Sequence, residues 1–229
     1  YKKYNVDATY VGHPFLDEWS PANTNQQKNQ LGFNPKKKLI SIFPGSRLME
    51  IKQHLPVYIK SIEKIKNENE NCEFALGLAP GFDKKEIEKT YNMRDIQIID
   101  QEPLQLLECS HAAIVTSGTV SLQASLMGVP CVVGYKLSFL SWLLSKILIK
   151  VKFISMTNIM VNKMLIREYT QYQMTPKNIT REINKLINNS QYYSEVQENL
   201  LSVKNLFLNK EHVMENVTNI IDLMDNEKN

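Results

Sequence analysis

The chain has 229 residues, 43% of them hydrophobic, and a formal net charge of +3. This is enough to bury one full core, or one and a half, and the charge is too mild to argue for nucleic acid as a partner. The sequence holds no 18-residue apolar run and no signal-peptide pattern, so neither a transmembrane helix nor a leader is expected.

The chain opens Tyr1-Lys-Lys-Tyr without an initiator methionine, which reads as entry in mid-protein. Residues 8–11 read as a strand closed by the Gly12-His-Pro14 turn. Residues 17–30 have linker composition, with Pro21 and several Asn and Gln. Residues 1–30 are therefore assigned to the end of a preceding domain and its linker, 31–190 to the main domain, and 191–229 to C-terminal helices. Residues 39–43 predict a strand, and Pro44-Gly-Ser-Arg47 a turn. A helix is predicted over 50–67, with Ile51, Leu55, Tyr58, Ile59, Ile62 and Ile65 on one face at helical spacing. Pro56 inside it either kinks the helix or delays its start. A strand follows over 72–78, then a charged helix over 83–91 capped by Asp83, a strand over 96–99 and a short helix over 103–109.

Residues 113–135 are the centre of the chain. Ala113 to Val115 has the buried-strand pattern, Thr116-Ser-Gly-Thr119 is a polar turn, and residues 119–127 form a helix. Gly128-Val-Pro130 stops that helix, because glycine suits its end and proline cannot continue it. Residues 131–135 are the next strand. Strands alternate with helices at short spacing from 39 to 135, which predicts an α/β fold with a doubly wound parallel sheet. The ligand site of such a sheet lies at the carboxyl ends of its strands. Both the Gly45-Ser-Arg47 turn and the Thr116–Thr119 turn fall there.

Residues 137–154 are the most apolar stretch, with Ser138, Ser141 and Ser145 in a thin stripe and Lys136, Lys146, Lys150 and Lys152 around it. Two readings fit: a segment lying on an anionic membrane surface, or a buried helix whose lysines reach out to water. Residues 155–158 read as a loop and 162–173 as polar and irregular. Thr175-Pro176 opens a helix with Ile179, Ile183, Leu186 and Ile187 on its apolar face. Helices over 191–208 and 211–225 follow.

The chemistry these residues offer is anion binding. Glycine and small hydroxylated residues at a helix start leave free N–H groups, and the helix dipole reinforces them. The 116–119 turn is either a diphosphate cradle or a capped turn that binds nothing. Ser46 is able to donate to an oxygen, and Arg47 either forks onto a phosphate or pairs with Glu50 on the surface. Gln123, in the second turn of the central helix, faces either a sugar hydroxyl or solvent. His13 is either catalytic or, as is commoner for a lone histidine in such a turn, holds the turn through a ring hydrogen bond. His54, His111 and His212 have no partners at metal-ligand spacing. Glu86 and Glu88 sit on an exposed charged helix, and no general base stands out. Cys72, Cys109 and Cys131, odd in number and without CxxC spacing, read as reduced core residues of a cytosolic protein.

Six motifs carry a resemblance, in order and spacing. They are Tyr10-Val-Gly-His-Pro14, Phe43-Pro-Gly-Ser-Arg47 with Glu50, Thr116-Ser-Gly-Thr119, Val132-Val-Gly-Tyr-Lys136, Asn158, and Glu168 with Gln171. Together they resemble the C-terminal half of the lipid-A-disaccharide synthase family over about residues 1–188. The resemblance implies an inverting, metal-independent GT-B glycosyltransferase with no cofactor. Its reaction would join UDP-2,3-diacylglucosamine to 2,3-diacylglucosamine 1-phosphate (lipid X), giving lipid A disaccharide 1-phosphate and UDP. This half would be the Rossmann-like donor-nucleotide domain. By motif, Gly45, Ser46 and Arg47 would meet the diphosphate, and Ser117, Gly118 and Thr119 would hold phosphate at the helix start. Tyr135, Asn158 and Gln171 would line the donor site with Gln123, a ribose partner. The catalytic acid and base would lie upstream, in the chain's own N-terminal domain. The resemblance also implies a cytoplasmic protein, peripheral to the inner membrane of a Gram-negative bacterium. The family usually has glutamate where this chain has Gln123, and proline where it has Thr157. A sugar-nucleotide-binding module without catalysis, and a UDP-sugar epimerase of the same fold, are the alternatives.

Overall fold

A computed structural model describes residues 9, 12–137, 152–207 and 213–226. Most of the strand expected over 8–11 and most of the apolar stretch 137–154 lie outside the described residues. Six strands form one sheet: β1 (Lys38–Phe43), β2 (Cys72–Gly77), β3 (Gln97–Ile99), β4 (Ala112–Val115), β5 (Cys131–Tyr135) and β6 (Arg167–Thr170). Their order is β3-β2-β1-β4-β5-β6, and every neighbouring pair is parallel. The doubly wound parallel sheet is therefore as the alternation predicted. The strand order reverses between β1 and β4, and that is where such a sheet opens a crevice for a ligand.

The helices are α1 (Phe15–Glu18), α2 (Thr24–Gln30), α3 (Leu48–Glu68), α4 (Lys84–Thr90), α5 (Pro103–Glu108), α6 (Thr119–Leu126), α7 (Met156–Val161), α8 (Pro176–Asn188), α9 (Ser190–Lys204) and α10 (Val213–Asn226). The pleat of β1 shows how they divide. Ile40 and Ile42 point to one face and join Ile51, Leu55 and Ile62 of α3 and Ile179 and Ile183 of α8. Leu39 and Phe43 point to the other, against Leu106 and Leu107 of α5 and Ala124 of α6. Both faces are covered, so the strands are apolar on both sides. A smaller cluster joins Phe15 of α1 to Leu122 and Leu126 of α6 and to Val203 and Phe207.

Three elements depart from the sequence reading. The linker at 17–30 contains α2, capped by the Asn23 side chain and tied to α5 where Gln27 Nε2 donates to Glu108 at 2.6 Å. The 155–158 loop is the start of α7, capped by Ser155. The irregular 162–173 stretch contains β6, an edge strand in which only Tyr169 is buried. Pro56 does not delay α3, which begins at Leu48 and continues to Glu68. The cysteines are free thiols, as expected; burial pushes Cys109 up to about 11 and Cys131 up to about 12, so neither is a thiolate at neutral pH.

The end of α8 illustrates how the sheet and helices lock. Its buried face of Ile179, Ile183, Leu186 and Ile187 contributes about 1.5–3 kcal/mol per side chain. Its last carbonyls need partners. Lys38 Nζ donates to Ile187 O, and His111 Nε2 donates to Leu186 O at 3.1 Å while its ring stacks on Tyr193 at 4.3 Å. Burial holds His111 down to about 4. The unfolded ring takes its proton near 6.5, so stability is full above pH 6.5 and falls as the pH drops towards 4. Between pH 7 and 5, His111→Gln is expected to lose about 2 kcal/mol less stability than the parent chain. Urea unfolding of both proteins at the two pH values measures this; parallel losses would mean that His111 does not titrate in this way.

Candidate functional site

A cleft of about 350 Å³ opens at the carboxyl ends of β1 and β4, at the switch point of the sheet. Seven of the ten sequence-predicted site residues line it: Gly45, Ser46, Arg47, Ser117, Gly118, Thr119 and Gln123. Phe43, Leu104, Leu107 and Val120 give it apolar walls, and Gly77 leaves room for the Phe43 ring, which a Cβ there would meet at 2.1 Å.

The two helix starts facing the cleft differ. At α3, the Glu50 carboxylate turns back onto the helix end and accepts from Ser46 N at 3.0 Å and Arg47 N at 3.3 Å. It also pairs with the Arg47 guanidinium at 3.3 Å. Glu50 therefore already occupies the anion position there. Gly45 makes this possible, with φ of +116° and no Cβ where Glu50 Oε2 lies. At α6, Gly118 with φ of +144° sits at the cap and supplies no side-chain bond. Gly118, Thr119 and Val120 at the start of α6 line the cleft, and a helix start, with its unpaired N–H groups and dipole, is the end where an anion gains most. Arg47 is 79% exposed on its side chain. Its guanidinium is thus mobile enough to exchange a weak surface partner for a phosphate.

The other three predicted residues lie outside this cleft. Tyr135 is half-buried and packs against His54, with ring centroids 5.4 Å apart. Gln171 opens a one-turn 3-10 helix after β6 with φ of +48°. Asn158 is fully buried. Its Nδ2 donates to Ile166 O and Glu168 Oε1, both at 2.7 Å, and its Oδ1 accepts from Leu165 N at 2.8 Å and Ile166 N at 3.0 Å. No polar group of that amide remains for a ligand. Glu168 is the hub of the same network, accepting also from Ile154 N, Ser155 N and Ser155 Oγ at 2.7–2.9 Å. Ser117 Oγ donates to Ile154 O at 2.6 Å, which ties the network to the cleft edge.

His13 Nδ1 accepts from Phe15 N at 3.2 Å, the turn-holding role read from its sequence. Sequence reasoning missed His54 and Tyr58. His54 is fully buried under the cleft, and Tyr58 lies one turn further along α3. Tyr58 OH lies 2.9 Å from Gly134 O and 3.1 Å from Val115 O. Glu50 is the carboxylate lining the cleft, but two N–H groups and a guanidinium hold it. Among the described residues no group of side chains has metal-ligand geometry.

A parallel sheet of this order with its cleft at the switch point defines a Rossmann-type α/β domain, of the class that holds a nucleotide's phosphates at that place. The fold is that of GT-B glycosyltransferases. The structure of WaaG, a glycosyltransferase involved in lipopolysaccharide biosynthesis, superposes with a TM-score of 0.56 at 12% identity, covering 84% of this chain and 50% of that one. A UDP-GlcNAc 2-epimerase from Neisseria meningitidis bound to UDP-GlcNAc gives 0.52 at 14% identity, covering 81% and 47%. These likenesses establish the fold alone. The chain belongs to the lipid-A-disaccharide synthase family: the family model described as lipid-A-disaccharide synthetase matches residues 1–221. The lipid-A-disaccharide synthase of Syntrophotalea carbinolica is 31% identical over 208 residues, 89% of this chain and 53% of that protein. The chain spans about half the length of the curated relatives it matches.

Proposed function

We propose that this chain is the donor-nucleotide half of a lipid-A-disaccharide synthase. In the whole protein it would bind UDP-2,3-diacylglucosamine and present it to lipid X, with release of UDP. The observation that carries this reading is the cleft at the switch point, where the open start of α6 and the Arg47 guanidinium face one space. A nucleoside diphosphate has the charge and the size for it. Its phosphates would take the N–H groups of α6 with Thr119, Arg47 would leave Glu50 to reach them, and Ser117, whose one O–H goes to Ile154 O, would fix the edge of the cradle. Gln123 would bond the ribose. Tyr135 and Gln171 would border the sugar side. Asn158 would shape that border from below, through Glu168, without touching the nucleotide. The acid and base of the transfer would come from the N-terminal half.

The division at about residues 30 and 190 remains our reading of the chain's organisation. A place on the inner-membrane surface is supported by Met156, Ile159, Met160 and Met164, all exposed on or beside α7. No described helix is long and apolar enough to cross a membrane. The family membership favours the synthase over an epimerase of the same fold.

Calorimetric titration with UDP is the test. Arg47→Ala should weaken binding ten-fold or more, about 1.4 kcal/mol, with the fold intact. Equal affinity in both proteins would remove Arg47 from the phosphate site.

A further inference from the structure

His54 is buried, titratable and unused by the nucleotide reading, yet it touches the ends of three strands. Its Nδ1 lies 3.0 Å from Pro44 O, just past β1, and 3.2 Å from Thr116 Oγ1, just past β4. Its Nε2 accepts from Lys136 N, just past β5, at 3.0 Å, the shorter of its two contacts there, since Lys136 O lies 3.3 Å away. That N–H fixes the tautomer: Nε2 is the acceptor, so Nδ1 carries the proton and donates to Pro44 O. Tyr58, four residues on and on the same face of α3, bonds the carbonyl ends of β4 and β5 beneath it. Two segments that line the cleft, the turn after β1 and the turn after β4, are therefore joined through one ring to the end of β5 outside it, across sequence separations of 10 and 82 residues.

We propose that His54 is a positioning residue for the nucleotide cleft, holding the β1–α3 turn and Thr116 of the turn after β4 in place by tying them to the end of β5. This rests on the nucleotide reading above. The contacts described are those of the neutral ring. A second proton would sit on Nε2, opposing the Lys136 N–H and leaving Lys136 O, 3.3 Å away, as its acceptor, so the contact with the end of β5 would have to shift from the N–H to the carbonyl. The charged and titratable groups around the ring are Glu50 and Tyr58 from α3, and Tyr135 and Lys136 from the end of β5. Burial is the largest influence and disfavours the proton; the Pro44 and Lys136 carbonyls and then Glu50 favour it, and the Lys136 charge disfavours it.

The test compares the parent chain with His54→Phe, which keeps the ring shape and loses both bonds. Amide hydrogen exchange at residues 45–47 and 136 is expected to quicken ten-fold or more in His54→Phe, with β2 unchanged. UDP affinity should fall ten-fold or more at pH 7.5. From pH 7.5 to 5.5 UDP's own phosphate takes up a proton near pH 6, and this weakens binding to both proteins alike. The parent chain should lose more affinity than the variant over that range. Parallel pH profiles with unchanged exchange would overturn the assignment and leave His54 a core residue. If the parent chain binds no UDP, the nucleotide reading fails instead, while exchange still reports on the clamp. Should His54→Phe not fold, His54→Gln decides. Its amide is able to reach Lys136 but not Pro44 as well, so faster exchange confined to 45–47 supports the clamp and parent-like exchange there contradicts it.

Discussion

Asn158→Ala is expected to cost about 3–5 kcal/mol of stability, because it strips partners from a network with no access to water. Leu165 N and Ile166 N lose their shared acceptor, and Glu168 and Ile166 O lose a donor. These groups hold the segment from Ile154 to β6 against the cleft edge. Urea unfolding gives the stability directly. The family motif suggested a ligand contact for this residue, and a ligand contact predicts a different result: weaker UDP binding with the unfolding midpoint unmoved. An unchanged midpoint would therefore show that the amide network does not carry the segment.

The second large effect is expected at Gly45. A non-glycine residue at φ of +116° costs about 1–3 kcal/mol in backbone strain. An alanine Cβ would also lie 2.3 Å from Glu50 Oε2 and 2.7 Å from Glu50 Cβ. Glu50 would have to leave the end of α3, and loss of a cap adds about 0.5–2 kcal/mol. Gly45→Ala should thus be less stable by about 2–5 kcal/mol, read by thermal and chemical unfolding. Glu50→Gln separates the two contributions, since it keeps the side-chain shape and weakens only the cap. If Gly45→Ala is as stable as the parent chain, the turn does not hold the conformation described.

The parts of the fold that were legible in the sequence are those whose signals are local. β1, β4 and β5 are short apolar runs bounded by turn residues, and α3 and α8 show continuous apolar stripes with their caps in place. The two turns at the switch point could be placed because strand alternation alone puts them at one end of the sheet. The elements that were missed are held by distant partners. β6 is a polar edge strand with one buried residue, so its pairing with β5 leaves no alternation to read. α7 exposes Met156, Ile159 and Met160, and its start is fixed by Ser155 and by Glu168. α2 is polar throughout, and its tie to Glu108 spans 81 residues.

The same division runs through the site. Gly45, Arg47 and the 116–119 turn announce an anion site by residue type. The pairing of Arg47 with Glu50 was one of the two readings open for that arginine, and it is the one the geometry has. The sequence marks the difference between the two helix starts only as Glu50 in the first turn of α3 against no acidic residue in that of α6; that the carboxylate folds back onto the helix end is seen in the structure. Neither Asn158, after Thr157, nor His54, after Lys52 and Gln53, is set apart by its neighbours in the sequence. Their roles depend on what the chain brings to them: Glu168 in one case, Pro44 and Lys136 in the other.

The most direct measurement is an amide NMR titration of the isotope-labelled chain with UDP. The account predicts that the largest shifts fall on Gly118, Thr119 and Val120 at the start of α6, with smaller ones at Ser46 and Arg47 as the guanidinium leaves Glu50. Shifts concentrated elsewhere, for example in the hollow beside Asp100 and Glu102 past β3, with the α6 start unmoved, would contradict the nucleotide site at the switch point.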